Sequence, residues 1–483
     1  MMQQKILMAI VTSIIAACVS CSNFSERNTA DIYTASADPG GNLVVYGHFN
    51  TSLDFDPSEG EMVLESIEEY DNFLALYDSD NTLQWVYTWA GYGRVRSGGD
   101  ASEYVKNIIM DGAGGIYLGG YFNGIRDLDF TDEEDIHESE KLGITDAYSN
   151  YGAFISKYNA DGSFEWAGSW ANPYGADVNA TYVAGNGDLF VIGEYEGEMD
   201  FDPGPGQKIF SPTHTGKFWE GGEDFYVSRF NPDGTLVSTF TWAYDQGVFT
   251  PQFCFVDPDD HFHFIGSATE ALDIDPGAGE FIIDPTSGDP IFMCEIDDEG
   301  ELIHANSIIP SQTELFLNNA AMDSSGDIYL GFSKRKTPAS KGKTSYRQER
   351  NAYGIVILKI DNTGSNLWSV EWGGDLLGEG AWITGISFDE DENLIVHGYF
   401  KGTVDFDPSG ETNELTAPSD GQNYTARLNP DGEFIDVEVS EYKQYYWGSS
   451  MNTSKISGTM TYDVLDEVRT IRQSNSLSGP FVI

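Results

Sequence analysis

One segment occurs six times along the chain, and this repetition limits the possible folds more than any local pattern does. Gly47-His48-Phe49 leads into Leu53-Asp54-Phe55-Asp56-Pro57, and Gly120-Tyr121-Phe122 into Leu128-Asp129-Phe130. Gly193-Glu194-Tyr195 leads into Met199-Asp200-Phe201-Asp202-Pro203, and Gly266 into Leu272-Asp273-Ile274-Asp275-Pro276. Gly398-Tyr399-Phe400 leads into Val404-Asp405-Phe406-Asp407-Pro408, while the copy at Gly331-Phe332 has its acidic half replaced. The leading glycines stand 73, 73, 73, 65 and 67 residues apart. A period of this length means equivalent structural units packed side by side.

Each unit reads as four short strands. In unit 2, Tyr104–Met110 and Ile116–Phe122 flank an Asp111-Gly112-Ala113-Gly114 turn; Ala153–Tyr158 and Phe164–Trp170 flank Asn159-Ala160-Asp161-Gly162. Alternating β-branched and aromatic residues between Gly/Asp turns are hairpin signals, and no stretch keeps a helical period. The expected fold is all-β: a β-propeller of six four-stranded blades, each spanning 65–73 residues. A seventh blade follows if the C-terminal tail supplies strands, with Ile456–Asp463 and Glu467–Ile471 as the candidates. The expected division is a signal segment at 1–17, a tether at 18–30, the propeller at 31–442 and a tail at 443–483.

The run Gly-x-Phe, Asp-Phe-Asp-Pro-Gly, then Phe-x-x-Lys-x-Asn-x-Asp-Gly-x-x-x-Trp resembles the bacterial β-propeller repeat called "seven-bladed", found in secreted and surface proteins. The resemblance spans Asp31 to Tyr442. It implies the propeller fold and a place at the cell surface, and it is much less specific about function. The chain departs from the pattern in showing six units rather than seven.

The N-terminus suggests an address. Lys5 precedes an apolar run, Ile6 to Ile15, too short to span a bilayer but right for a signal peptide. It ends in Ile15-Ala16-Ala17-Cys18, which looks like a lipobox, with Cys18 the expected lipidated residue and Cys21 a poorer second. An ordinary secretory signal with a chance cysteine is the plainer alternative. The expectation is a lipoprotein of the outer membrane, periplasmic or surface-exposed, held to the membrane only by its lipid. Val19 after the cysteine favours the outer membrane by resemblance to other lipoproteins.

The formal net charge is −53, and removing residues 1–17 takes away only Lys5, leaving −54. Such a surface repels nucleic acid and anionic lipid. Within it, seven of the 25 basic residues fall inside one window: Lys334, Arg335, Lys336, Lys341, Lys343, Arg347 and Arg350. The window lies between the second and third strands of unit 5, where other units carry Asp-x-Asp-Pro. It reads either as a solvated loop balancing acidic neighbours or as a dock for an acidic glycan or protein at the cell surface.

The paired carboxylates Asp54/Asp56, Asp200/Asp202, Asp273/Asp275 and Asp405/Asp407 lie two residues apart, on one side of an extended strand. They suit an Asx-type turn before a rigid proline, or the start of a Ca²⁺ site that needs further oxygen ligands. Beyond the lipobox only Cys254 and Cys294 remain, expected on the first and third strands of one unit and so too distant to bridge. Trp85/Trp89, Trp166/Trp170 and Trp368/Trp372 resemble the docking repeats of quinone-dependent dehydrogenase propellers. Those have eight blades and an adjacent Cys-Cys pair, so packing between units explains the tryptophans without a cofactor. His261 and His263 alternate onto one side of a strand, with no third ligand identifiable in the sequence. Lys106 is the long charged side chain on the innermost strands, and no nucleophile-elbow, zincin or phosphate-loop motif is present. The reading that follows is a non-catalytic binding or scaffolding module using its insertion-bearing face. A carbohydrate-active enzyme using rim carboxylates is the alternative.

Overall fold

The structure is a computed structural model describing residues 30–440 and 455–456. Segments 94–100, 140–150, 213–223, 244–248, 285–290, 310–314, 336–352 and 374–379, and isolated loop positions, lie outside the described residues. The signal segment and Cys18 also fall outside them. The described chain is strand and turn throughout, and no helix in it is long and apolar enough to cross a membrane.

Six antiparallel sheets follow one another, and within each the four main strands lie in sequence order. Unit 1 uses Ala30–Ala37, Leu43–Phe49, Asp71–Tyr77 and Leu83–Ala90; unit 2 uses Ala101–Met110, Ile116–Asn123, Tyr151–Tyr158 and Phe164–Trp170. In unit 3 the first strand is split into Gly175–Ala176 and Ala180–Val183, before Leu189–Glu196, Asp224–Phe230 and Leu236–Ala243. Unit 4 is Phe249–Val256, Phe262–Ala268, Ile291–Ile296 and Leu302–Ile309. Unit 5 is Leu315–Met322, Ile328–Arg335, Tyr353–Ile360 and Asn366–Gly373. Unit 6 is Gly380–Phe388, Leu394–Lys401, Gln422–Leu428 and Phe434–Ser440. Of the tail, Lys455–Ile456 pairs with Ala30 and Asp31 at the free edge of unit 1. The other tail positions considered as strands lie outside the described residues.

Both faces of these sheets are apolar because their middle strands are apolar at successive positions, not only at alternate ones. In unit 2, Ile116, Leu118 and Phe122 join Val44, Tyr46 and Leu74 of unit 1 in one buried cluster. Tyr117 points the other way and joins Val191, Tyr226 and Phe230 of unit 3. The same sharing links units 3 and 4, 4 and 5, and 5 and 6. First strands of successive units touch in order along the chain. Cys254 and Cys294 sit either side of Phe264 in the unit 4 sheet, buried and unbridged. Burial among apolar side chains pushes both thiols well above their ordinary pKa.

The repeated glycine has a specific cause. The first strands of units 1, 2, 4, 5 and 6 carry a register shift, a bulge that tilts a carbonyl towards the second strand. A Cβ on Gly120 would lie 1.9 Å from the Tyr104 carbonyl oxygen, and one on Gly193 1.9 Å from that of Asp177. On Gly398 it would meet the Trp382 carbonyl at 2.0 Å. In units 3 and 6 the tilted carbonyl accepts a hydrogen bond from a third-strand tyrosine: Tyr226 Oη to Asp177 O at 2.7 Å, and Tyr424 Oη to Trp382 O at 3.2 Å.

A latch joins neighbouring units at their opposite end. Trp85 Nε1 donates to Ala160 O (3.1 Å), Trp166 to Pro232 O (3.0 Å) and Trp368 to Pro430 O (2.9 Å). Each indole thus lies on the hairpin turn of the next unit. The turn glycines Gly162, Gly234 and Gly432 have φ of +85°, +82° and +82°, and a Cβ there would come within 3.1 Å of the ring. In unit 4 the tryptophan position is His304, and Asn306, two residues further along the strand, donates to Thr363 O at 2.8 Å.

Gly193→Ala is expected to lower stability by about 2 kcal/mol, since the methyl displaces backbone rather than a flexible side chain. Guanidinium unfolding measures this. Gly204→Ala, in an exposed loop, should change the midpoint far less.

Candidate functional site

At the far end of each second strand the chain leaves the sheet as a two-stranded ribbon in units 1, 2, 3, 4 and 6. These ribbons are Ser52–Asp54 with Val63–Glu65, Ile125–Asp127 with Ile136–Glu138, Met199–Asp200 with Ile209–Phe210, Leu272–Asp273 with Ile282–Ile283, and Thr403–Asp405 with Glu414–Thr416. The apolar residue between the paired acids anchors each ribbon: Phe55, Leu128, Phe201, Ile274 and Phe406 are all buried, as is Phe130 two residues after Leu128. Phe130 stacks on Trp89 of the preceding unit at 4.0 Å, and Trp242 Nε1 donates to Ile274 O at 3.1 Å.

The paired carboxylates organise the loop. Asp54 Oδ1 accepts from the amides of Asp56 (3.1 Å) and Met62 (2.9 Å), while Asp56 Oδ1 accepts from Ser58 N (2.8 Å). The scheme recurs at Asp200/Asp202, Asp273/Asp275 and Asp405/Asp407. Unit 2 repeats it with Asp127 and Asp129, two residues earlier than the Asp-Phe pattern suggests. The motif closes an Asx-type loop, with Oδ1 of each carboxylate engaged by backbone and Oδ2 of the second Asp directed over glycines such as Gly60, Gly206 and Gly279.

Opposite the first Asp of four ribbons stands a branched aliphatic: Val63, Ile136, Ile209 and Ile282, between 47% and 55% exposed. Unit 6 has Glu414 at this position. Sequence reading missed this row because each residue alone looks like an ordinary strand position. Only cross-strand pairing with the Asp reveals its period.

In unit 5 the basic window occupies the sequence positions at which the other units carry the ribbon, and most of it lies outside the described residues. Lys334, next to the end of the second strand, pairs with Glu371 of the same unit at 2.7 Å. Arg335 completes the strand, while Lys336, Lys341, Lys343, Arg347 and Arg350 lie outside the described residues. Lys106, on the first strand of unit 2, pairs with Asp177 at 2.6 Å and reaches Asn179 Oδ1 at 2.7 Å, linking units 2 and 3.

A second constellation lies at the opposite end, at the turn between the first and second strands of unit 4. His263 Nε2 meets Asp257 Oδ2 at 2.9 Å, and His261 Nδ1 meets Glu295 Oε1 at 2.9 Å and Asp257 Oδ2 at 3.8 Å. Asp257, His263 and Glu295 are buried, with their ligand atoms all within 4.8 Å of one another. The histidine pair therefore has the further ligands that the sequence did not identify. They come from four residues upstream and from the next strand, a neighbourhood that strand pairing creates.

No family model and no curated protein matches the chain. Among solved structures, a Bacteroides caccae protein of unknown function aligns over 71% of this chain and 94% of its own, with 12% identity and a TM-score of 0.24. Rhamnogalacturonan lyase YesW aligns over 86% of this chain and 76% of its own, with 11% identity and a TM-score of 0.33. A Bacillus licheniformis rhamnogalacturonan lyase aligns over 82% and 77%, with 11% identity and a TM-score of 0.31. Likenesses of this size carry no argument about activity.

Turn carboxylates set the acid limit of the fold. Side-chain and backbone hydrogen bonds from Ser58 hold Asp56 below its ordinary pKa, and those from Ser163 and Thr235 do the same for Asp161 and Asp233. A depressed folded-state pKa contributes stability that is present above the unfolded value of about 3.9 and lost as pH falls through the folded value. The thermal midpoint should therefore fall from about pH 4 downwards, and an Asp161→Asn, Asp233→Asn variant should show a shallower fall.

Proposed function

We propose that this chain is an exported, lipid-anchored six-bladed β-propeller that works as a non-catalytic binding or scaffolding module at the cell envelope. Its partner engages the ribbon-bearing face. Cys18 carries the lipid, and the outer membrane holds the anchor.

Several observations support the ring. Six equivalent sheets pack face to face in order, with their first strands adjacent to one another. Unit 1 also buries Leu43, Val45, Phe49 and Phe73 completely on its side away from unit 2, in a cluster drawn, among the described residues, from unit 1 alone; closure of the ring predicts that unit 6 covers this side.

The observation that carries the binding reading is the row of half-exposed aliphatics at Val63, Ile136, Ile209 and Ile282. Each costs solvation, and each occupies the same place in its ribbon beside a turn carboxylate. An apolar row edged with acids, interrupted by one basic segment, suits a protein surface of matching pattern. The Lys334–Arg350 segment then supplies an anion-binding contact for a carboxylated or sulfated group on that partner.

Capture from cell-envelope extract and from acidic polysaccharides tests this with three forms: the intact chain, a form lacking 334–350, and an Ile136→Glu, Ile209→Glu variant. A partner held by the first and weakened about tenfold or more in the others supports the reading, because two anchor positions are each worth about 1 kcal/mol or more. Equal capture by all three removes the ribbon face as the site. Release of product from an acidic polysaccharide replaces the binding module with an enzyme.

A further inference from the structure

We propose that Asp257, His261, His263 and Glu295 of unit 4 form a binding site for one divalent transition-metal ion of the zinc class. The site lies at the end of the sheet away from the ribbons and does not rest on the binding function proposed above.

The inference begins with what sibling units place at the same positions. On the third strand, register puts Lys157, Arg229, Glu295, Lys359 and Arg427 in equivalent places in units 2 to 6. In unit 3, Arg229 pairs with Asp188 at 2.7 Å above the ring of Phe190. In unit 5, Lys359 pairs with Asp323 at 3.3 Å and Asp327 at 2.9 Å, above Tyr329. The cation neutralises turn carboxylates that the fold buries.

Unit 4 reverses that charge. Asp257 is kept, but the facing cation is replaced by Glu295, and both carboxylates are 5% exposed. The ring position becomes His263, with no exposure at all, and the position of Asp188 and Asp327 becomes His261. Two buried carboxylates facing each other without lysine or arginine require another positive charge. Two imidazole nitrogens supply the softer half of a ligand set that suits zinc better than calcium or magnesium.

The distances agree. Four ligands at zinc–nitrogen and zinc–oxygen bond lengths stand about 3.3 Å apart from one another. The observed contacts are 2.9 Å for His263 to Asp257, 2.9 Å for His261 to Glu295, and 3.8 Å for His261 to Asp257. The ligand atoms of Asp257, His263 and Glu295 already lie within 4.8 Å of one another, and His261, in contact with both carboxylates, turns inward to complete the set. His261 is the more exposed ligand, its side chain 30% accessible, and provides the route of entry. His263 turns Nε2 into the cluster, and its buried Nδ1 has no hydrogen-bond partner among the described residues. Packing alone would be served by the phenylalanine or tyrosine that units 2, 3 and 5 use there.

The test uses the full-length chain in detergent, stripped with a chelator and titrated with Co²⁺ as a coloured substitute for Zn²⁺. Excess Mg²⁺ occupies the acidic surface. One equivalent of Co²⁺ should give the intense visible absorption of a four-coordinate site, and Zn²⁺ should abolish it. His263→Phe and Glu295→Lys each install a residue that a sibling unit already carries, so the fold should tolerate them. Both should weaken binding by on the order of 100-fold or more. Absence of the absorption, or the same titration in both variants, overturns the proposal. If Glu295→Lys fails to fold, His263→Phe decides between the same two outcomes.

Discussion

Sheet-on-sheet burial is the interaction on which the rest of this structure depends. Each four-stranded sheet has two apolar faces and no helix to cover either, so a single unit exposes both. Stacking equivalent units resolves this, because the face that unit 2 turns to unit 1 through Ile116 and Leu118 is distinct from the one it turns to unit 3 through Tyr117. A fully buried aliphatic or aromatic side chain contributes roughly 1.5–3 kcal/mol, and each interface gathers many of them. Against that, a tryptophan latch adds one hydrogen bond and a ring contact. Its value lies in direction: an indole seated on a turn glycine of the next unit sets the angle and register between two greasy surfaces that would otherwise slide.

The polar groups follow from the same constraint. Where sheets stack tightly, turns at their ends must satisfy their own backbone, and aspartate does so at nearly every corner. Asp111, Asp257, Asp323 and Asp389 accept two amides each within the turn between first and second strands. The ribbon aspartates repeat the device at the other end. Much of the −53 charge is therefore a consequence of corner chemistry. Arg229 and Lys359 on third strands pair with turn carboxylates in units 3 and 5, Lys157 and Arg427 pair instead with fourth-strand acids in units 2 and 6, and unit 4 carries Glu295 at that position. In a repeat protein the departures from period carry the functional information, and here two of them stand at opposite ends of neighbouring units. One is the basic window of unit 5, and the other is the histidine–carboxylate cluster of unit 4.

Legibility in the sequence differed sharply between fold and site. The four strands of each unit, their turns, and the burial of the residue between paired aspartates were all readable, because they depend on neighbours within a few positions. The unbridged state of Cys254 and Cys294 was readable for the same reason, since strand order within a hairpin meander is local. The ligand partners of His261 and His263 were not. Glu295 lies 34 positions from His261 and reaches it only through strand pairing. The row of Val63, Ile136, Ile209 and Ile282 was hidden likewise, because each ribbon's return strand follows a loop of variable composition.

By itself, then, the sequence determined that equivalent all-β units pack side by side, that glycine must occupy one position in each, and that acids cap the corners. Steric contact over one or two strands dictates all three. Tertiary structure alone decided which charges meet, because side chains far apart along the chain come within 3 Å only once the register of three strands is set. It also decided which apolar residues remain in water. That depends on what covers a face, and no stretch of sequence contains its own neighbour.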